Sequence, residues 1–181
     1  MQRLVYRAAE KRDIQTILDM FVAAIHDMNL NGIPQWDEIY PNQEVIEDDI
    51  RKKQMTVVML GDDMVAAYVI NTESDVQYTN GKWSKPDTTY VVLHRLCVNP
   101  KFQHRGIARQ VMLHMEEEER QQGIESIRLD AFTKNPFALK LYEELGYVTV
   151  GYADFRKGRF KLMEKILQLK LIELISMSTT L

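Results

Sequence analysis

Residues 96–108 read Leu-Cys-Val-Asn-Pro-Lys-Phe-Gln-His-Arg-Gly-Ile-Ala, and this stretch is the most informative part of the chain. An apolar strand ends at Asn99-Pro100, a short loop carries Gly106, and apolar residues at helical spacing follow from Ile107 onward. A loop between a strand and a helix directs successive backbone N–H groups at one point, next to the positive end of the helix dipole. A glycine in such a loop lets the backbone approach an anion closely. The stretch therefore indicates a pyrophosphate-binding loop.

Two other nucleotide-binding motifs do not fit this loop. No Lys-Ser/Thr pair follows Gly106, which excludes a P-loop, and a full Gly-x-Gly-x-x-Gly is absent. An ordinary strand-to-helix turn would account for the same residues. The loop taken alone therefore leaves both an anion site and a plain turn open.

The composition is that of a soluble globular protein. The chain has 181 residues, of which 45% are hydrophobic and 27% charged, and its net charge is -3. This length suits one domain with a sizeable core, and the mild acidity argues against a nucleic-acid surface. The one cysteine, Cys97, cannot form an internal disulfide. No apolar run approaches the ~18 residues of a membrane span, and basic residues interrupt the N-terminus, so we expect a cytoplasmic protein that makes no use of a membrane.

Hydrophobic periodicity predicts strands that alternate with helices. The predicted strands cover residues 4–7, 56–60, 64–70, 90–98, 127–131, 147–150 and 160–165. The predicted helices cover residues 11–28, a short segment after the N-cap Asn42, residues 106–123, and a segment between Asn135 and Gly146. The polar segment 71–89 is too long for a plain hairpin turn and is predicted to be a functional loop. This order indicates an α/β sheet with crossover connections.

A second segment carries a motif of its own. Residues 135–147 read Asn-Pro-Phe-Ala-Leu-Lys-Leu-Tyr-Glu-Glu-Leu-Gly-Tyr. Together with residues 103–108, this segment resembles the two signature regions of the GCN5-related N-acetyltransferase (GNAT) family, Gln/Arg-x-x-Gly-x-Gly/Ala and Asn-x-x-Ala-x-x-Leu-Tyr-x-x-x-Gly-Phe/Tyr. The asparagine lies 29 residues beyond Gly106, at the family's usual spacing. The resemblance is close over residues 90–150, and the order of elements before them agrees with it.

The resemblance implies an α/β fold of the GNAT type, with a mixed, mostly antiparallel central sheet in which two parallel strands splay apart, flanked by helices. Residues 1–165 would form the N-acetyltransferase domain, and residues 166–181 would form an apolar C-terminal extension. Leucines in the extension fit both the strand and the helix period. So much apolar surface is expected to be covered, either by the domain itself or in a homodimer whose interface includes the extension.

The resemblance also implies that acetyl-CoA is the acetyl donor and that no metal takes part. The pantetheine arm would insert between the splayed strands and bond to the backbone of Leu96, Cys97 and Val98, where an N–H group would polarise the thioester carbonyl. The pyrophosphate would be held by Gln103, His104, Arg105, Gly106, Ile107, Ala108 and Arg109. Asn135 bonds the pantetheine arm in the family, although helix capping alone explains an asparagine before a proline.

In the family, the tyrosine that corresponds to Tyr142 is the general acid towards the departing thiolate. A tyrosine has a pKa near 10 and a thiol a pKa near 8.5, so complete proton transfer is uphill by ~2 kcal/mol. The hydroxyl is therefore expected to act mainly by hydrogen-bonding the developing charge. A tyrosine on this apolar helix face would also fit a purely structural position in the core.

The general base is left open among three residues. An acceptor amine with a pKa of about 10.4 is mostly protonated at pH 7, so a group must take its proton away. Asp130 stands where ribosomal-protein N-acetyltransferases of the family hold an acidic base. His94 is predicted on the same strand face as Leu96, and Glu73 at the mouth of the polar loop. Each of the three would also fit a structural or solvated position.

We therefore expect direct transfer of acetyl from acetyl-CoA to a primary amine, with a small-molecule acceptor favoured. Cys97 has the opposite strand parity to His94, which argues against an acyl-cysteine intermediate. A protein N-terminal or lysine acetyltransferase, and a CoA-binding module without turnover, are the alternatives. Four loop aromatics flank the expected acceptor entrance and would either line it or cover the core edge: Trp36, Tyr40, Tyr78 and Trp83.

Overall fold

The computed structural model describes residues 3–85 and 87–167. Seven strands lie within them: β1 Val5–Ala8, β2 Met55–Leu60, β3 Asp63–Asn71, β4 Tyr90–Val98, β5 Ser126–Phe132, β6 Val148–Phe155 and β7 Gly158–Ile166. The same residues contain four α-helices: α1 Ile14–Leu30, α2 Gln43–Arg51, α3 Ile107–Gln121 and α4 Pro136–Glu144. Short 3-10 turns at Lys11–Asp13, Val76–Asn80 and Pro100–Phe102 complete the regular structure.

The strands form a single sheet in the order β1-β2-β3-β4-β5-β7-β6. Neighbouring strands are antiparallel except β4 and β5, which run parallel. The parallel ladder runs from the pair Tyr90–Ser126 to the pair Leu93–Leu129, and the described residues of β4 and β5 do not pair with each other beyond it. The two strands therefore part after four pairs, which confirms the predicted mixed, mostly antiparallel sheet with two splayed parallel strands.

Helices cover both faces of the sheet. On one face, α3 and α4 pack through Val111, Met112 and Tyr142 onto a core that includes Leu129. On the other face, α1 and α2 pack onto β2 and β3 in a second core, which contains Ile17, Phe21, Ile46, Val57 and Val69. The rest of that face is covered by residues 72–85, called the covering loop below. No helix among the described residues is long and apolar enough to span a membrane.

Local sequence signals set the starts of two helices. The side chain of Asn42 accepts a hydrogen bond from the backbone N–H of Val45, and the side chain of Asn135 accepts one from Ala138. Such capping satisfies N–H groups that have no partner inside the helix. Pro136 occupies the first position of α4, where its missing N–H costs nothing. The caps predicted for Asn42 and Asn135 are therefore present.

A β-bulge in β4 was not predicted. Ala67 of β3 faces Cys97, but Val69 faces His94, so β4 carries one extra residue at this point. Within the bulge, Arg95 has a φ of 51°. Because facing residues of an antiparallel pair project to the same side, Cys97 and His94 share one face of the sheet. The predicted opposite parity of Cys97 and His94 is therefore wrong.

The predicted shared face of His94 and Leu96 is wrong for the same reason. Leu96 packs against the core beneath α3, whereas Cys97 belongs to the core beneath α1. The alternation of side chains was counted without the bulge, and one inserted residue reverses every assignment beyond it.

The last two strands are longer than the sequence pattern predicts. β6 continues from residue 150 to Phe155 although this part contains Gly151 and Asp154, which are poor strand formers. Pairing with β7 overrides that propensity. β7 in turn runs to Ile166, and Leu167 is 3% exposed in the core, so the domain extends two residues beyond the predicted boundary at residue 165. The remainder of the predicted extension, residues 168–181, lies outside the described residues.

Candidate active site

Two cavities meet where β4 and β5 part. One has a volume of about 700 Å³ and is bordered by residues 103–109, and we call it the loop cavity. The other has a volume of about 650 Å³ and contains Asp130 and His94, and we call it the Asp130 cavity. The two cavities share four of their lining residues, which are Gln35, Trp36, Leu96 and Tyr142. The gap between the splayed strands therefore joins two chambers that both reach Leu96 and Tyr142.

The loop that borders the loop cavity, residues 103–109, presents a run of backbone N–H groups. The N–H groups of residues 104–109 find no hydrogen-bond acceptor in the part of the chain that the structure describes. They lie at the N-terminus of α3, where the helix dipole adds positive potential. His104 and Gly106 have φ values of 59° and 75°, which turn successive N–H groups inward. The glycine is explained by its φ and not by crowding, because a Cβ atom there would meet nothing within 4 Å.

The side chains of this loop contribute less charge than the sequence suggested. Arg109 forms an ion pair of 2.5 Å with Glu144 of α4, and Arg105 lies over the ring of Phe102 outside the cavity lining. Gln103 donates a hydrogen bond of 3.2 Å to the carbonyl of Val98, which braces the end of β4. His104, Gly106, Ile107 and Ala108 line the cavity. An anion in the loop cavity would therefore meet mainly backbone N–H groups.

The backbone of β4 forms the inner wall of the loop cavity. Leu96, Cys97 and Val98 line it, beyond the point where β4 loses β5 as a partner. Burial raises the pKa of the Cys97 thiol well above its ordinary value, and the side chain is 2% exposed. Although Cys97 and His94 share a face of the sheet, a buried neutral thiol is a poor nucleophile. An acyl-cysteine intermediate therefore has no support.

Asn135 lies at the rim of the loop cavity, and both polar atoms of its side-chain amide form hydrogen bonds. Its Oδ1 accepts from the backbone N–H of Ala138 at 3.1 Å, and its Nδ2 donates to Oε1 of Gln35 at 2.9 Å. The capping contact explains the residue type locally. The contact with a pantetheine arm stays a prediction.

Tyr142 lies at the junction of the two cavities. Burial raises the pKa of its hydroxyl above the ordinary value, and the nearby Asp130 raises it further. The hydroxyl therefore stays protonated throughout the physiological pH range. It makes no hydrogen bond to any residue that the structure describes. A protonated donor without a protein acceptor is suited to meet a negative charge that develops in the gap.

Asp130 lies on the floor of the cavity named after it. Its Oδ1 accepts a hydrogen bond of 2.8 Å from the hydroxyl of Tyr78. Burial raises the pKa of this carboxyl to about 6, and Asp75 adds to the rise, whereas the hydrogen bond from Tyr78 and the charge of Arg95 oppose it. A carboxyl with such a pKa is ionised at pH 7 and still accepts a proton readily.

His94 lies across the gap from Asp130, because each is the first residue after the last ladder pair, Leu93–Leu129. Its Nε2 lies 3.0 Å from Oδ1 of Asn71 and 3.1 Å from the carbonyl of Glu73. Both partners are acceptors, so Nε2 carries the hydrogen and Nδ1 keeps the lone pair. Burial and the charge of Arg95 lower the pKa of His94 to about 4. The ring is therefore neutral at pH 7 and a weaker base than Asp130.

Glu73 does not have the environment of a base. It is exposed and accepts a hydrogen bond of 3.2 Å from Nζ of Lys52. This hydrogen bond lowers the pKa of Glu73 below its ordinary value. Of the three candidate bases, Glu73 is therefore the least suited to hold a proton.

The four loop aromatics divide into two pairs. Trp36 and Tyr40 line the Asp130 cavity. Tyr78 is buried, and Trp83 stacks on it with 5.6 Å between the ring centroids. The first pair lines the expected acceptor entrance, and the second pair supports its wall.

Residues 33–41, called the strap below, cross the gap and were not recognised from the sequence as a single element of the site. Asp37 in the strap accepts two hydrogen bonds from Arg156, at 2.7 and 2.8 Å, and one from Lys157 at 3.2 Å. These contacts tie the strap to the turn between β6 and β7, and the bond between Gln35 and Asn135 ties it to α4. The partners of Asp37 lie more than a hundred residues further along the chain, so no local pattern announces them.

An ion pair behind the gap was not predicted either. The guanidinium of Arg95 donates to both carboxylate oxygens of Asp49, at 2.9 and 2.6 Å, and to the hydroxyl of Tyr40 at 2.6 Å. A signal was present, since Asp49 stands beside Ile50 and three residues after Ile46 on the inward face of α2. A carboxylate on an apolar helix face requires a cation partner.

These features define the class of the protein, and comparison with known families agrees. The model of the family described as acetyltransferase (GNAT) family matches residues 22–147. The chain therefore belongs to the GNAT family and is an acetyltransferase. A comparison with curated protein sequences finds no match.

Solved structures share this fold at low sequence identity. A GNAT-family acetyltransferase from Streptococcus agalactiae is similar with a TM-score of 0.82 and 23% identity, over 91% of this chain and 96% of that one. The PaiA N-acetyltransferase from Thermoplasma acidophilum, solved in complex with coenzyme A, has a TM-score of 0.68 and 16% identity, over 91% and 99% of the chains. The ribosomal-protein-S18-alanine N-acetyltransferase from Escherichia coli has a TM-score of 0.66 and 15% identity, over 93% and 96%. At these identities the likeness concerns the fold.

Proposed function

We propose that this protein transfers the acetyl group of acetyl-CoA to a primary amine of a small molecule by direct attack. The observation that carries the proposal is the meeting of the two cavities at Tyr142, in the gap between β4 and β5. One cavity offers backbone donors for a pyrophosphate, and the other offers a carboxylate for an amine. A thioester and an amine that entered from the two sides would meet at the gap.

Acetyl-CoA would occupy the loop cavity. The unpartnered N–H groups of residues 104–109 suit the pyrophosphate, and the unpaired edge of β4 at residues 96–98 suits the amides of the pantetheine arm. The PaiA structure, which has the same fold and contains coenzyme A, supports this assignment. Acetyl-CoA would supply the thioester, and coenzyme A would leave as its thiolate.

Asp130 is the base that the proposal assigns. Neutralising an amine with a pKa of about 10.4 at pH 7 requires ~4 to 5 kcal/mol, so a proton acceptor close to the attacking nitrogen lowers the barrier. The carboxylate of Asp130 first attracts the ammonium group and then accepts its proton. With a pKa of about 6 it holds that proton better than His94, whose pKa is about 4.

Tyr142 is the donor that the proposal assigns to the leaving group. Its pKa is raised by burial, which makes complete transfer of its proton to a thiolate even less favourable than for an ordinary tyrosine. The hydroxyl instead hydrogen-bonds the sulfur as negative charge develops there. This interaction is strongest in the transition state and therefore accelerates the reaction.

The strap at the Asp130 cavity favours a small acceptor. The strap is tied to the β6–β7 turn through Asp37 and to β4 through Tyr40 and Arg95. A polypeptide acceptor needs an open groove, whereas this arrangement covers the cavity from the side of the strap. The two cations at the rim, Arg156 and Lys157, both pair with Asp37, whose single carboxylate offsets part of their positive charge. Asp130 can therefore attract a small ammonium compound.

Release of coenzyme A with a panel of acceptors tests the proposal. We expect a small primary amine to be acetylated with a kcat/KM at least about tenfold above that of peptides with a free N-terminus or a lysine. Tyr142→Phe should lower kcat by roughly 10- to 1,000-fold with little change in the Kd of acetyl-CoA. Turnover with peptides alone would identify a protein acetyltransferase, and tight acetyl-CoA binding without turnover on any amine would identify a binding module.

A further inference from the structure

The covering loop reaches into the active site through one side chain. Tyr78 lies in the 3-10 turn Val76–Asn80, and its hydroxyl donates to Oδ1 of Asp130 across a sequence distance of 52 residues. The side chain is 4% exposed. Burial raises the pKa of Tyr78 well above its ordinary value, and the charge of Asp130 raises it further, so the hydroxyl stays protonated and donates to the carboxylate. The contact therefore presents a fixed hydrogen-bond donor to one oxygen of Asp130.

The loop is held firmly enough to fix that donor. The indole N–H of Trp83 donates to the carbonyl of Tyr78 at 2.9 Å, and the two rings stack. The backbone N–H of Ser84 donates to Oε2 of the fully buried Glu164 in β7 at 2.8 Å. Arg128 of β5 lies 4.5 Å from the ring centroid of Trp83. The two strands beneath the loop, β5 and β7, therefore each hold it through one side chain.

The sheet also leaves space for the close approach of this loop. A Cβ atom on Gly151 of β6 would lie 2.7 Å from the backbone carbonyl of Asn80. The backbone N–H of Lys82 donates to the carbonyl of Val150 at 2.8 Å. The covering loop therefore packs backbone against backbone, and Tyr78 has little freedom to withdraw from Asp130.

We infer that Tyr78 is a positioning residue for the reaction: its hydroxyl holds Oδ1 of Asp130, so that Oδ2 is presented to the acceptor amine. The inference rests on the proposed function, because it takes Asp130 as the base. It goes beyond that function by assigning a task to the covering loop. The hydrogen bond also stabilises the ionised carboxylate and so sets the pH at which the base becomes active.

Several other groups act on Asp130 and must be kept constant in a test. Asp75 in the covering loop is the nearby like charge, and Leu162 of β7, which faces Asp130 in the ladder, is apolar. Other polar groups near Asp130 come from β4, α4 and the strap, and they are His94, Arg95, Tyr142 and Tyr40. The same cavity is also lined by the charged residues Glu73, Arg156 and Lys157. Tyr78→Phe leaves all of these in place and removes one hydroxyl, while the ring that stacks on Trp83 remains.

The pH profile of kcat/KM tests the inference. The acidic limb of that profile reports the pKa of the base in the free enzyme. Tyr78→Phe should move the limb to higher pH by about one unit, because an ionised carboxylate loses a hydrogen bond. At pH values above the acidic limb, Tyr78→Phe should also lower kcat by roughly tenfold, with the Kd of acetyl-CoA unchanged. A 3-fluorotyrosine at position 78 is a stronger donor of the same shape and should move the limb to lower pH.

Two matched variants separate positioning from general support of the loop. Thr79→Val removes the hydrogen bond of 2.7 Å from the neighbouring hydroxyl to the carbonyl of Val76 and does not touch Asp130. It should leave the limb where it is. On the Asp130→Asn background, Tyr78→Phe should have no further effect on kcat, because the group that it positions has lost its charge.

The outcomes distinguish this inference from the proposed function. If the wild type has no limb near pH 6, or if Asp130→Asn keeps full activity, the assignment of Asp130 as the base is wrong. If the limb is present but Tyr78→Phe and the fluorotyrosine leave it in place, Tyr78 is merely structural. An equal shift with Thr79→Val would assign the effect to loop integrity, and this too would overturn the inference. Thermal melting of each variant establishes that it is folded at the assay temperature.

Discussion

Asp130 illustrates how a site residue can oppose the stability of its own domain. Burial raises its pKa from an ordinary 3.8 to about 6, so the folded protein binds a proton there more tightly than the unfolded chain does. The contribution of Asp130 to the free energy of unfolding is therefore greatest at low pH and falls as the pH rises from about 4 to about 6. Above that range the ionised carboxylate destabilises the fold by roughly 3 kcal/mol.

Asp130→Asn should consequently stabilise the protein while removing most of its activity. At about pH 8 the variant should be more stable than the wild type by roughly 2 to 3 kcal/mol, and near pH 3 the difference should vanish. Urea unfolding at both pH values measures the two free energies. The exposed carboxyl of Asp154 provides the control, since Asp154→Asn should change stability by less than about 0.5 kcal/mol. A less stable Asp130→Asn variant at pH 8 would contradict the assigned burial cost.

The environment of Gly106 allows us to predict how substitutions there change the affinity for acetyl-CoA. Gly106→Glu and Gly106→Gln impose the same backbone strain at a φ of 75° and enter the same open space, so they differ only in charge. We expect the glutamate to weaken acetyl-CoA binding by roughly 100- to 1,000-fold more than the glutamine does, through repulsion of the pyrophosphate. Calorimetric titration of both folded variants measures this ratio. Equal affinities would mean that the pyrophosphate binds elsewhere.

Single residues were predictable where a local rule fixes them and unpredictable where a distant partner does. Gly106 and the cap Asn135 follow from the spacing of neighbouring residues, and both stand where the sequence places them. The environment of Asp130 does not follow, because its pKa is raised by burial in the folded domain and lowered in part by Tyr78 and Arg95, which the chain brings from far away. A sequence pattern can therefore identify candidate bases, but it cannot tell which of them is the best proton acceptor.

At the scale of elements, the bulge in β4 is coupled to helix α2. Arg95 within the bulge is 11% exposed at its side chain, and its carboxylate partner Asp49 on α2 is 6% exposed. An ion pair in this position contributes modestly as a pair, but either partner alone is a buried unpaired charge. The shape of the wall at the gap therefore depends on a residue of a helix that does not line it.

Asp49→Asn tests this coupling. We expect the free energy of unfolding at about pH 7 to fall by roughly 3 to 5 kcal/mol, because Arg95 is left without its counter-charge. The adjacent residue gives a matched control, since Asp48 pairs with Lys52 and Arg51 on the exposed side of the same helix. Asp48→Asn should cost less than about 1 kcal/mol. Similar losses from both variants, measured by urea unfolding, would show that the burial of the pair has no energetic consequence.

Elements with a strong period were predicted well, and irregular ones were not. The amphipathic pattern of α1 and α3 and the glycine-bounded hairpin of β2 and β3 reproduce the observed order. The bulge at Arg95 leaves no trace in that pattern, because one inserted residue changes side-chain parity without changing hydrophobicity. The C-terminal half of β6 was missed because only its partner β7 makes it a strand.

At the scale of the whole molecule, the apolar C-terminal extension remains the predicted element for self-association. A truncation that tests this role has to begin after Leu167, because Ile166 pairs with Ser126 and Leu167 is buried in the core. Truncation after Leu167 should leave acetyl-CoA binding and thermal stability intact and convert a dimer into a monomer, as measured by light scattering. A monomeric full-length protein at micromolar concentration would exclude the dimer, and a dimeric truncated protein would place the interface elsewhere.

The residues that line the site fall into two classes, which differ in whether they border one cavity or both. Gln35 and Trp36 border both cavities, so a substitution at either position reshapes the chamber of the donor together with that of the acceptor. Ile39 and Phe155 border the Asp130 cavity alone. A change of acceptor amine can therefore be accommodated by substitutions in the second class, while changes in the first must satisfy two substrates at once.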